Sequence, residues 1–420
     1  MHISERLYYS DSFLKTFTGA VTDIREVPGR DAESIWQLAL NRTAFYPTSG
    51  GQPFDTGLLQ AASAPQEIAV EQVEEDEDGV VWHYVRKPLA AGTPVEGRID
   101  WERRFDHMQQ HTGQHLLSAV FLRELHAPTV SFHLGESIST IDLACAPPAY
   151  HSLERVERIA NEIIAEDRPV TTRSASRGEA EAMLAAGELR KLPDREGSIR
   201  LIEIADCDRN ACGGTHVRST GQIGGLLVRG VEKVTRGVRI EFACGLRAVS
   251  TARTDAAIVS ETAALLSIPG PELPQAVRRL QGDAKAGARE RQKLREELAV
   301  FHGAGLASEA SVENGLRLVV RAWKDRDRDY VRLLASRTAA ALPGTAVIFS
   351  AQEVTPSRVY IARSKDLGFD CGRMLKEALA NIGLRGGGSP DLAQGDVPID
   401  QEQALVASLA DTVRRSVAHT

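Results

Sequence analysis

Two histidines spaced four residues apart open the stretch "HTGQHLLSAVF", which otherwise has the apolar character of a core helix. On an α-helix, positions i and i+4 lie on one face, so the imidazoles of His111 and His115 can reach the same ion. This spacing recurs in zinc sites, but it also occurs in packed helices that bind nothing. His107 continues the same face, and the sequence therefore offers three histidines for one site.

A second pair with the same spacing lies far downstream, in "DRNACGGTHV". Cys212 and His216 stand in a glycine-rich loop, and thiolate and imidazole are ligand types that zinc prefers. Together with the first pair they complete a tetrahedral set, which predicts one Zn2+ per chain. The alternative is an unligated cysteine in a tight turn beside a surface histidine. Cys207 could compete as a ligand, although a small apolar residue that ends the preceding strand is the simpler interpretation.

The elements that must position these residues are predicted from the apolar pattern. Before residue 99, short β-like runs alternate with turn signals and predict a small β-barrel or compact antiparallel sheet. From Asp100 the period becomes helical in "DWERRFDHMQQHTGQHLLSAVFLREL", the segment that carries the first histidine pair. A second helix and several strands follow, and they predict an α+β unit whose sheet is mainly antiparallel.

The rest of the chain changes character twice more. Residues 251–303 repeat apolar positions with spacings of three and four, which predicts a helical hairpin. Beyond it strands and helices alternate, and "LRGGGSPDLAQGD" has the composition of a glycine-rich loop. The predicted fold class is α+β, with a small N-terminal β-barrel, an antiparallel α+β domain, a helical hairpin and a C-terminal α/β domain. The predicted boundaries are 1–98, 99–250, 251–303 and 304–420.

Composition excludes several classes of protein. The 420 residues include five cysteines, an odd and small number that argues against a disulfide framework. We find neither a secretory signal nor an apolar run of membrane-spanning length, so the sequence predicts a cytoplasmic protein without a membrane partner. A formal net charge of −7 does not suggest a nucleic-acid binder, but a local basic patch would suffice for one.

Four motifs occur in a recognisable order: "TAFYPTSGGQPFDTG", "HMQQHTGQHLLSAVF", "ACGGTHVRSTGQIG" and "GGGSPDLAQGD". They resemble the editing domain of alanyl-tRNA synthetase and its free-standing relatives, the AlaX proteins. The C-terminal part resembles the DHH-associated domain at the end of the synthetases and of the long AlaX form. The resemblance implies a zinc-dependent deacylase that releases serine or glycine from mischarged tRNA(Ala).

The resemblance also implies roles for individual residues. It places the zinc ligands at His111, His115, Cys212 and His216. Catalytic zinc usually keeps an open position, so a four-ligand set leaves open whether the metal activates water, with one ligand labile, or only orients the substrate. The loops "TSGGQP" and "CGGTH" would cradle the terminal adenosine and the amino acid, and tight turns are the alternative. The candidate substrate-binding residues are Gly50, Gly51, Gln52, Gly213 and Gly214.

Two residues are candidate catalytic groups. Thr43 matches a threonine that in AlaX proteins lies near the aminoacyl side chain, where it favours a hydroxyl that alanine lacks. From the residue alone, Thr43 could equally be a β-branched residue at the end of a strand. Gln114 stands where the synthetases often have threonine, and this departure bears on how serine and alanine are distinguished.

The expected partner is mischarged tRNA(Ala), and homodimerisation through the hairpin or the C-terminal domain is a further expectation. Basic side chains and the C-terminal glycines provide candidate contacts, although a solvated face or tight turns would explain them as well. The candidate tRNA-binding residues are Arg103, Arg104, Gly386, Gly387 and Gly388.

Three other functions are alternatives to the zinc-dependent deacylase. A non-catalytic tRNA-binding module with a structural zinc would carry the same motifs. A phosphoesterase would need aspartate clusters for two metals and an Asp-His-His motif, which the sequence lacks. A complete synthetase would need an aminoacylation core upstream of the first motif, and we expect none there.

Overall fold

The computed structural model describes residues 4–28, 34–62, 66–193 and 197–418. The chain divides into two compact units, Met1–Thr262 and Ala263–Thr420. The fold is mixed α+β with several sheets and a closed barrel, which confirms the predicted class at this level. Within the described ranges, no helix combines the length and the apolar character that a bilayer span requires.

The first part of unit 1 is built from strands and one short helix. Its elements are β1 (Glu5–Arg6), α1 (Leu7–Ser10), β2 (Thr16–Pro28), β3 (Ser34–Leu40), β4 (Arg42–Thr43), β5 (Gly57–Ala61), β6 (Glu67–Glu75), β7 (Val81–Val85) and β8 (Pro94–Ile99). Among the described residues, six of these strands close into a barrel in the order β2-β3-β7-β6-β5-β8. Alternate side chains such as Leu38, Leu59 and Val81 fill its interior, as expected for strands with one buried face.

The remainder of unit 1 carries the histidine and cysteine motifs. Its elements are α2 (Trp101–Leu125), β9 (Thr129–Leu134), β10 (Ser139–Leu143), α3 (Tyr150–Ala165), β11 (Val170–Ala175), α4 (Arg177–Ala185), β12 (Ile199–Ile204), β13 (Asp208–Ala211), β14 (Leu226–Val234), β15 (Gly237–Cys244) and α5 (Gly245–Leu265). The strands form two antiparallel sheets, β14-β15-β10-β9 and β11-β12-β13.

Helix α2 is the central element of this region. It begins where the Asp100 side chain accepts a hydrogen bond from the Arg103 N–H, and it ends at His126, whose backbone is left-handed. Leu116, Leu117 and neighbouring side chains are completely buried, because α2 packs against α3 and against the sheet that contains β9, β10 and β15. The predicted helix is therefore confirmed, and its surroundings explain why residues 107–121 are buried on every side although many of them are polar.

Unit 2 contains a mixed sheet of six strands together with helices. Its elements are α6 (Leu273–Glu309), β16 (Val312–Glu313), β17 (Leu316–Trp323), α7 (Arg328–Ala341), β18 (Thr345–Ala351), β19 (Ser357–Arg363), α8 (Cys371–Ala380), β20 (Gly386–Gly388), β21 (Leu392–Val397) and α9 (Ile399–Ala418). The strand order is β16-β17-β18-β19-β21-β20, and only the β17–β18 pair is parallel among the described strands. Residues 251–303 lie largely in α5 and α6, but their pairing as a hairpin stays a prediction.

The glycine-rich segment of unit 2 differs from the prediction. "LRGGGSPDLAQGD" was expected to be a loop, but it forms the antiparallel pair β20–β21. A side chain at Gly386 would collide with Leu379 of α8, and one at Gly388 would collide with the Leu392 carbonyl. These glycines therefore allow an edge strand to lie close to a helix, a packing role that composition alone does not distinguish from a turn.

Candidate metal centre and its cavity

Four potential metal ligands meet in unit 1. His111 and His115 project from consecutive turns of α2, while Cys212 and His216 lie in the loop that follows β13. Their ligand atoms all lie within 4.8 Å of one another. The structure thus brings together two pairs that are far apart in sequence.

The spacing of these atoms suits a metal ion. The Cys212 Sγ lies 3.4 Å from the Nε2 of His111 and 3.4 Å from the Nε2 of His216. Sulfur and nitrogen ligands of one tetrahedral zinc lie about 3.5 Å apart, given bond lengths of about 2.3 Å and 2.05 Å. One thiolate and three imidazoles are also a donor set typical of zinc, so the residues fit this ion.

The His111 ring is oriented by Gln52. The Gln52 Oε1 lies 2.9 Å from the His111 Nδ1 and also accepts a hydrogen bond from the Thr215 N–H at 3.0 Å. Because this oxygen can only accept, Nδ1 carries the proton and Nε2 is left as the metal-binding atom. The Gln52 amide also donates to the Thr215 hydroxyl at 2.9 Å. This bond joins the loop "TSGGQP" to the loop "CGGTH", which we call the cysteine loop.

The other two imidazoles have similar partners. The His216 Nδ1 lies 3.1 Å from the Thr112 hydroxyl, and the His115 Nδ1 lies 3.3 Å from an Asp208 carboxylate oxygen. In each ring the partner faces Nδ1, so Nε2 points towards the cluster. Such contacts commonly fix the tautomer and orientation of a ligating histidine.

Electrostatics favour a thiolate in this cluster. Burial alone would raise the pKa of the Cys212 thiol, but the neighbouring imidazoles of His111 and His216 hold it well below its ordinary value. Burial lowers the pKa of His115, yet the hydrogen bond to Asp208 and the nearby Cys212 raise it to about 9. For His216, burial and the adjacent His111 hold the pKa well below its usual range.

A cavity of about 610 Å³ opens onto this cluster. Two of the four potential ligands, His115 and Cys212, line it directly. The remaining described lining residues are Tyr9, Tyr46, Ser49, Gly50, Gly51, Gln114, Thr129, Val130, Ser131, Phe132, Arg190, Lys191, Pro193, Arg200, Asn210, Ala211, Gly213 and Gly214. The volume lies within the usual range of small-molecule sites.

The predicted substrate-binding glycines lie at this cavity. Gly50 and Gly51 both have positive φ and form a tight turn that is closed by hydrogen bonds between the backbones of Ser49 and Gln52. This turn directs Gln52 away from the cavity lining and towards His111, so Gln52 contacts a potential metal ligand rather than the cavity.

Gln114 lies at the cavity and retains an unused acceptor. Its side chain is 5% exposed, and its amide nitrogen donates to the Ser118 hydroxyl at 2.9 Å. Its Oε1 is buried and has no hydrogen-bond partner among the described residues. The site therefore contains an unpaired acceptor next to the metal cluster, and buried acceptors are normally satisfied.

Thr43, the other candidate catalytic residue, lies in β4 of unit 1. It is fully buried beside the barrel interior, and the described lining of the cavity does not include it. The His83 Nδ1 faces the Leu38 carbonyl at 2.9 Å and so carries a proton, which leaves Nε2 to accept from the Thr43 hydroxyl at 2.8 Å. The same hydroxyl oxygen accepts from the Phe45 N–H at 3.1 Å. These hydrogen bonds give Thr43 a role in ordering the barrel, and its contact with the amino acid stays a prediction.

The candidate tRNA contact at Arg104 is wrong. Its guanidinium is completely buried, forms an ion pair with Asp55, and donates to the carbonyls of Ser12 and Ala44. A side chain without solvent exposure cannot contact a phosphate backbone. Arg103 is partly exposed, and it donates to the Phe54 carbonyl at 2.9 Å and to Glu136 at 3.0 Å. Gly386, Gly387 and Gly388 form β20 in unit 2, and their contact with tRNA stays a prediction.

The competing metal ligands are separate from the cluster. His107 is buried, and burial together with the nearby cation of Arg103 lowers its pKa to about 3. Cys207 lies in the turn between β12 and β13, where burial raises the pKa of its thiol to about 11. Neither belongs to the group of residues whose ligand atoms converge.

The sequence did not identify several residues that organise the site. Arg200 donates to the carbonyls of Cys212 and Gly214 at 2.9 and 2.8 Å, and so it holds the cysteine loop. Thr112 and Asp208 orient two of the histidines. The sequence does contain one indication for Thr112, because it is a polar residue that directly follows a potential ligand on a core helix. No comparable feature of the sequence points to Asp208 or Arg200.

Known proteins show similarity along the whole chain. A family model described as tRNA synthetases class II (A) matches residues 2–103, and one described as Threonyl and Alanyl tRNA synthetase second additional domain matches residues 199–241. "Alanyl-tRNA editing protein AlaX-L" of Pyrococcus horikoshii is 29% identical over 419 residues, which cover 96% of this chain and 97% of that protein. The chain is thus similar to AlaX-L over nearly its whole length.

The similarity to AlaX-L extends to alanine–tRNA ligases, but only to part of them. The ligase of Pyrococcus furiosus is 36% identical over 303 residues, which are 70% of this chain and 31% of the ligase. The chain thus spans less than half of the ligases that it matches, 42% in the case of Pyrococcus abyssi. The C-Ala domain of Aquifex aeolicus alanyl-tRNA synthetase aligns with 23% of the chain at 18% identity and a TM-score of 0.22, too low to bear on the fold.

Proposed function

We propose that this chain is a trans-editing hydrolase that deacylates mischarged tRNA(Ala) and releases serine or glycine. The observation that carries the proposal is the position of the ligand cluster, since His115 and Cys212 form part of the wall of an open cavity. A zinc that only stabilised the fold would not require such access. The name of the relative AlaX-L and the matched Threonyl and Alanyl tRNA synthetase domain support the same activity.

The chain's own residues prepare the cluster for one ion. His111, His115, Cys212 and His216 would hold Zn2+, which when bound supplies a Lewis acid next to the cavity. Gln52, Thr112 and Asp208 keep the three imidazoles in the orientation that presents Nε2. Because these groups are positioned before the substrate enters, little reorganisation is needed on binding.

Discrimination against correctly charged tRNA requires a contact that alanine cannot make. Gln114 lines the cavity and its buried Oε1 lacks a partner among the described residues, so a rotation of its side chain would present an acceptor to a serine hydroxyl, a group that alanine lacks. The amino group of any aminoacyl ester could also donate to this oxygen. We therefore assign Gln114 to the contact with the aminoacyl group, and Thr43 to support of the barrel.

The proposed activity also suggests a role for each part of the chain, a partner and a compartment. We propose that the barrel and the antiparallel α+β region act together as the editing part, with 1–98 and 99–250 as their bounds. Residues 251–303 would form a helical hairpin that links them to a tRNA-binding and dimerising part at 304–420. Mischarged tRNA(Ala) would be the partner, and the cytoplasm, where tRNA is charged, the compartment.

A non-catalytic module with a structural zinc is the second candidate, because four protein ligands are typical of structural zinc sites. The two functions differ in the products formed from tRNA(Ala) charged with serine, glycine or alanine. The hydrolase is expected to release serine or glycine and to leave alanine attached. Binding of all three without release would overturn the hydrolase and support the module.

A further inference from the structure

The wall of the cavity carries more positive charge than the metal cluster requires. Among its described lining residues, Arg190, Lys191 and Arg200 are cationic, and none is a carboxylate. Arg190 forms an ion pair with Asp208, but Lys191 is exposed at the cavity. A site that received only a neutral or cationic amino acid would not need this charge. The lining therefore favours an anionic group on the ligand.

Arg200 is the most informative of these cations because it is only 8% exposed. It donates to the backbone carbonyls of Tyr9, Cys212 and Gly214 at 3.1, 2.9 and 2.8 Å, and its guanidinium lies 5.7 Å from the centre of the Tyr9 ring. These bonds use Nε and Nη1, and none of the described residues provides a carboxylate for it. After burial, the Cys212 thiolate is the strongest influence on the pKa of Arg200, and in the proposed centre that thiolate is bound to zinc. A buried guanidinium without a carboxylate is unusual, since buried charges are normally paired.

Aromatic side chains accompany these cations. Tyr9 and Phe132, which are both partly exposed, line the same cavity, whereas Tyr46 is buried in its wall. The faces of such rings stack on nucleic-acid bases, while cations follow the phosphate backbone, and single-stranded nucleic acids are commonly bound by this combination. The chemistry of the wall thus fits an unpaired 3′ end better than a free amino acid.

We infer that Arg200 and Lys191 form a phosphate subsite that binds the phosphodiester groups next to the 3′-terminal nucleotide of the RNA. The subsite rests on the proposed function, and it adds the residues that seat the nucleic acid beside the metal centre. Arg200 uses its Nη2 for this contact, while its other nitrogens keep the cysteine loop in place. Lys191 adds a second, solvent-exposed charge.

The test uses the full chain, loaded with zinc, and a single-stranded RNA hexamer that ends in CCA-3′ and carries no amino acid. Its dissociation constant is measured at several salt concentrations. Each phosphate contact contributes about 0.7 to the slope of log affinity against log salt. We expect Lys191→Gln and Arg200→Gln each to reduce the magnitude of this slope by about 0.7. Arg200→Lys, which keeps the charge, is expected to keep the slope.

The control variant is Lys87→Gln, because Lys87 is exposed but does not line the cavity, and its slope should match that of the wild type. Arg200→Gln could also disturb the cysteine loop, and a lower zinc content of the purified variant would reveal this. In that case the salt slope of Lys191→Gln alone tests the subsite. An unchanged slope in Lys191→Gln, or an equal reduction in Lys87→Gln, would overturn the subsite.

The same variants are assayed on Ser-tRNA(Ala). If the wild type deacylates Ser-tRNA(Ala) but the variants keep the wild-type salt slope, the subsite is overturned and the proposed function stands. If the variants show the reduced slopes but the wild type deacylates nothing, the proposed function is overturned and the subsite stands.

Discussion

A side chain at Gly214 would overlap the imidazole of His111. A Cβ placed there would lie well inside 3.0 Å of the His111 ring, a separation that real Cβ atoms essentially never show. The glycine next to it has room, because a Cβ at Gly213 would lie 3.6 Å from the Tyr9 hydroxyl at the nearest. The second glycine of "CGGTH" is thus required by a potential metal ligand, whereas the first is not.

Gly214→Ala is therefore expected to displace His111 and lower the zinc content of the purified protein, while Gly213→Ala keeps it. Zinc bound per chain, measured by atomic emission after dialysis, compares the two. Because the variants differ only in which neighbouring glycine gains a methyl group, equal zinc contents would contradict the predicted clash.

Gln52 should act on the metal through His111. Gln52→Ala removes the acceptor of the His111 Nδ1–H, so the ring loses its fixed tautomer and orientation. We expect zinc to bind about 10- to 100-fold more weakly, as is usual when such a supporting contact is lost. Competition titration with a chromophoric chelator measures this change. Gln72→Ala, on barrel strand β6, is the control, and a Gln52→Ala affinity equal to that of the control would refute the role.

The buried Arg104–Asp55 pair should matter for stability rather than for tRNA binding. Arg104→Gln leaves the Asp55 carboxylate buried without its partner, and losses of about 3–5 kcal/mol are typical of such changes. Arg103→Gln removes a partly exposed pair, for which we expect about 1 kcal/mol or less. Chemical denaturation monitored by circular dichroism gives both values. Similar losses in the two variants would show that Arg104 is not the buried anchor described above.

His83 makes stability depend on pH. Burial lowers its pKa from 6.5 to about 4, so below pH 6.5 the unfolded chain takes up a proton that the folded chain does not. Its contribution is complete above pH 6.5 and is lost as the pH falls towards 4, by an amount on the order of 3 kcal/mol. We expect the stability difference between the wild type and His83→Gln to shrink over this interval. A difference that stays constant with pH would argue against a neutral buried His83.

The periodicity of the sequence was sufficient for the main elements of the site. The helical prediction from Asp100 onwards agrees with α2, because its apolar positions pack on both α3 and a sheet. Residue type and spacing predict both ligand pairs and their joint zinc site, and the family resemblance implies the same four ligands. "LRLVVRAW" likewise matches β17, a strand with two adjacent valines and a tryptophan.

Long-range partners could not be predicted in the same way. The charge of Arg104 in the sequence predicts a tRNA contact, whereas its partner Asp55 lies 49 residues away, in the loop before β5. Gln52 contacts the cysteine loop from 163 residues away, and Arg200 contacts it from 14 residues away, across the turn between β12 and β13. A local pattern reveals the type of a side chain, but its burial and its partner arise only from the fold.

Release of serine from Ser-tRNA(Ala) by zinc-loaded, chelator-treated and zinc-restored protein tests the central claim most directly. The loaded and restored forms should release serine, while the chelated form and Cys212→Ala should lose most of this activity. Ala-tRNA(Ala) should remain intact in all of them. Equal release by the chelated protein would contradict the metal centre, and a loaded protein that binds the charged tRNA but releases no serine would contradict the hydrolase.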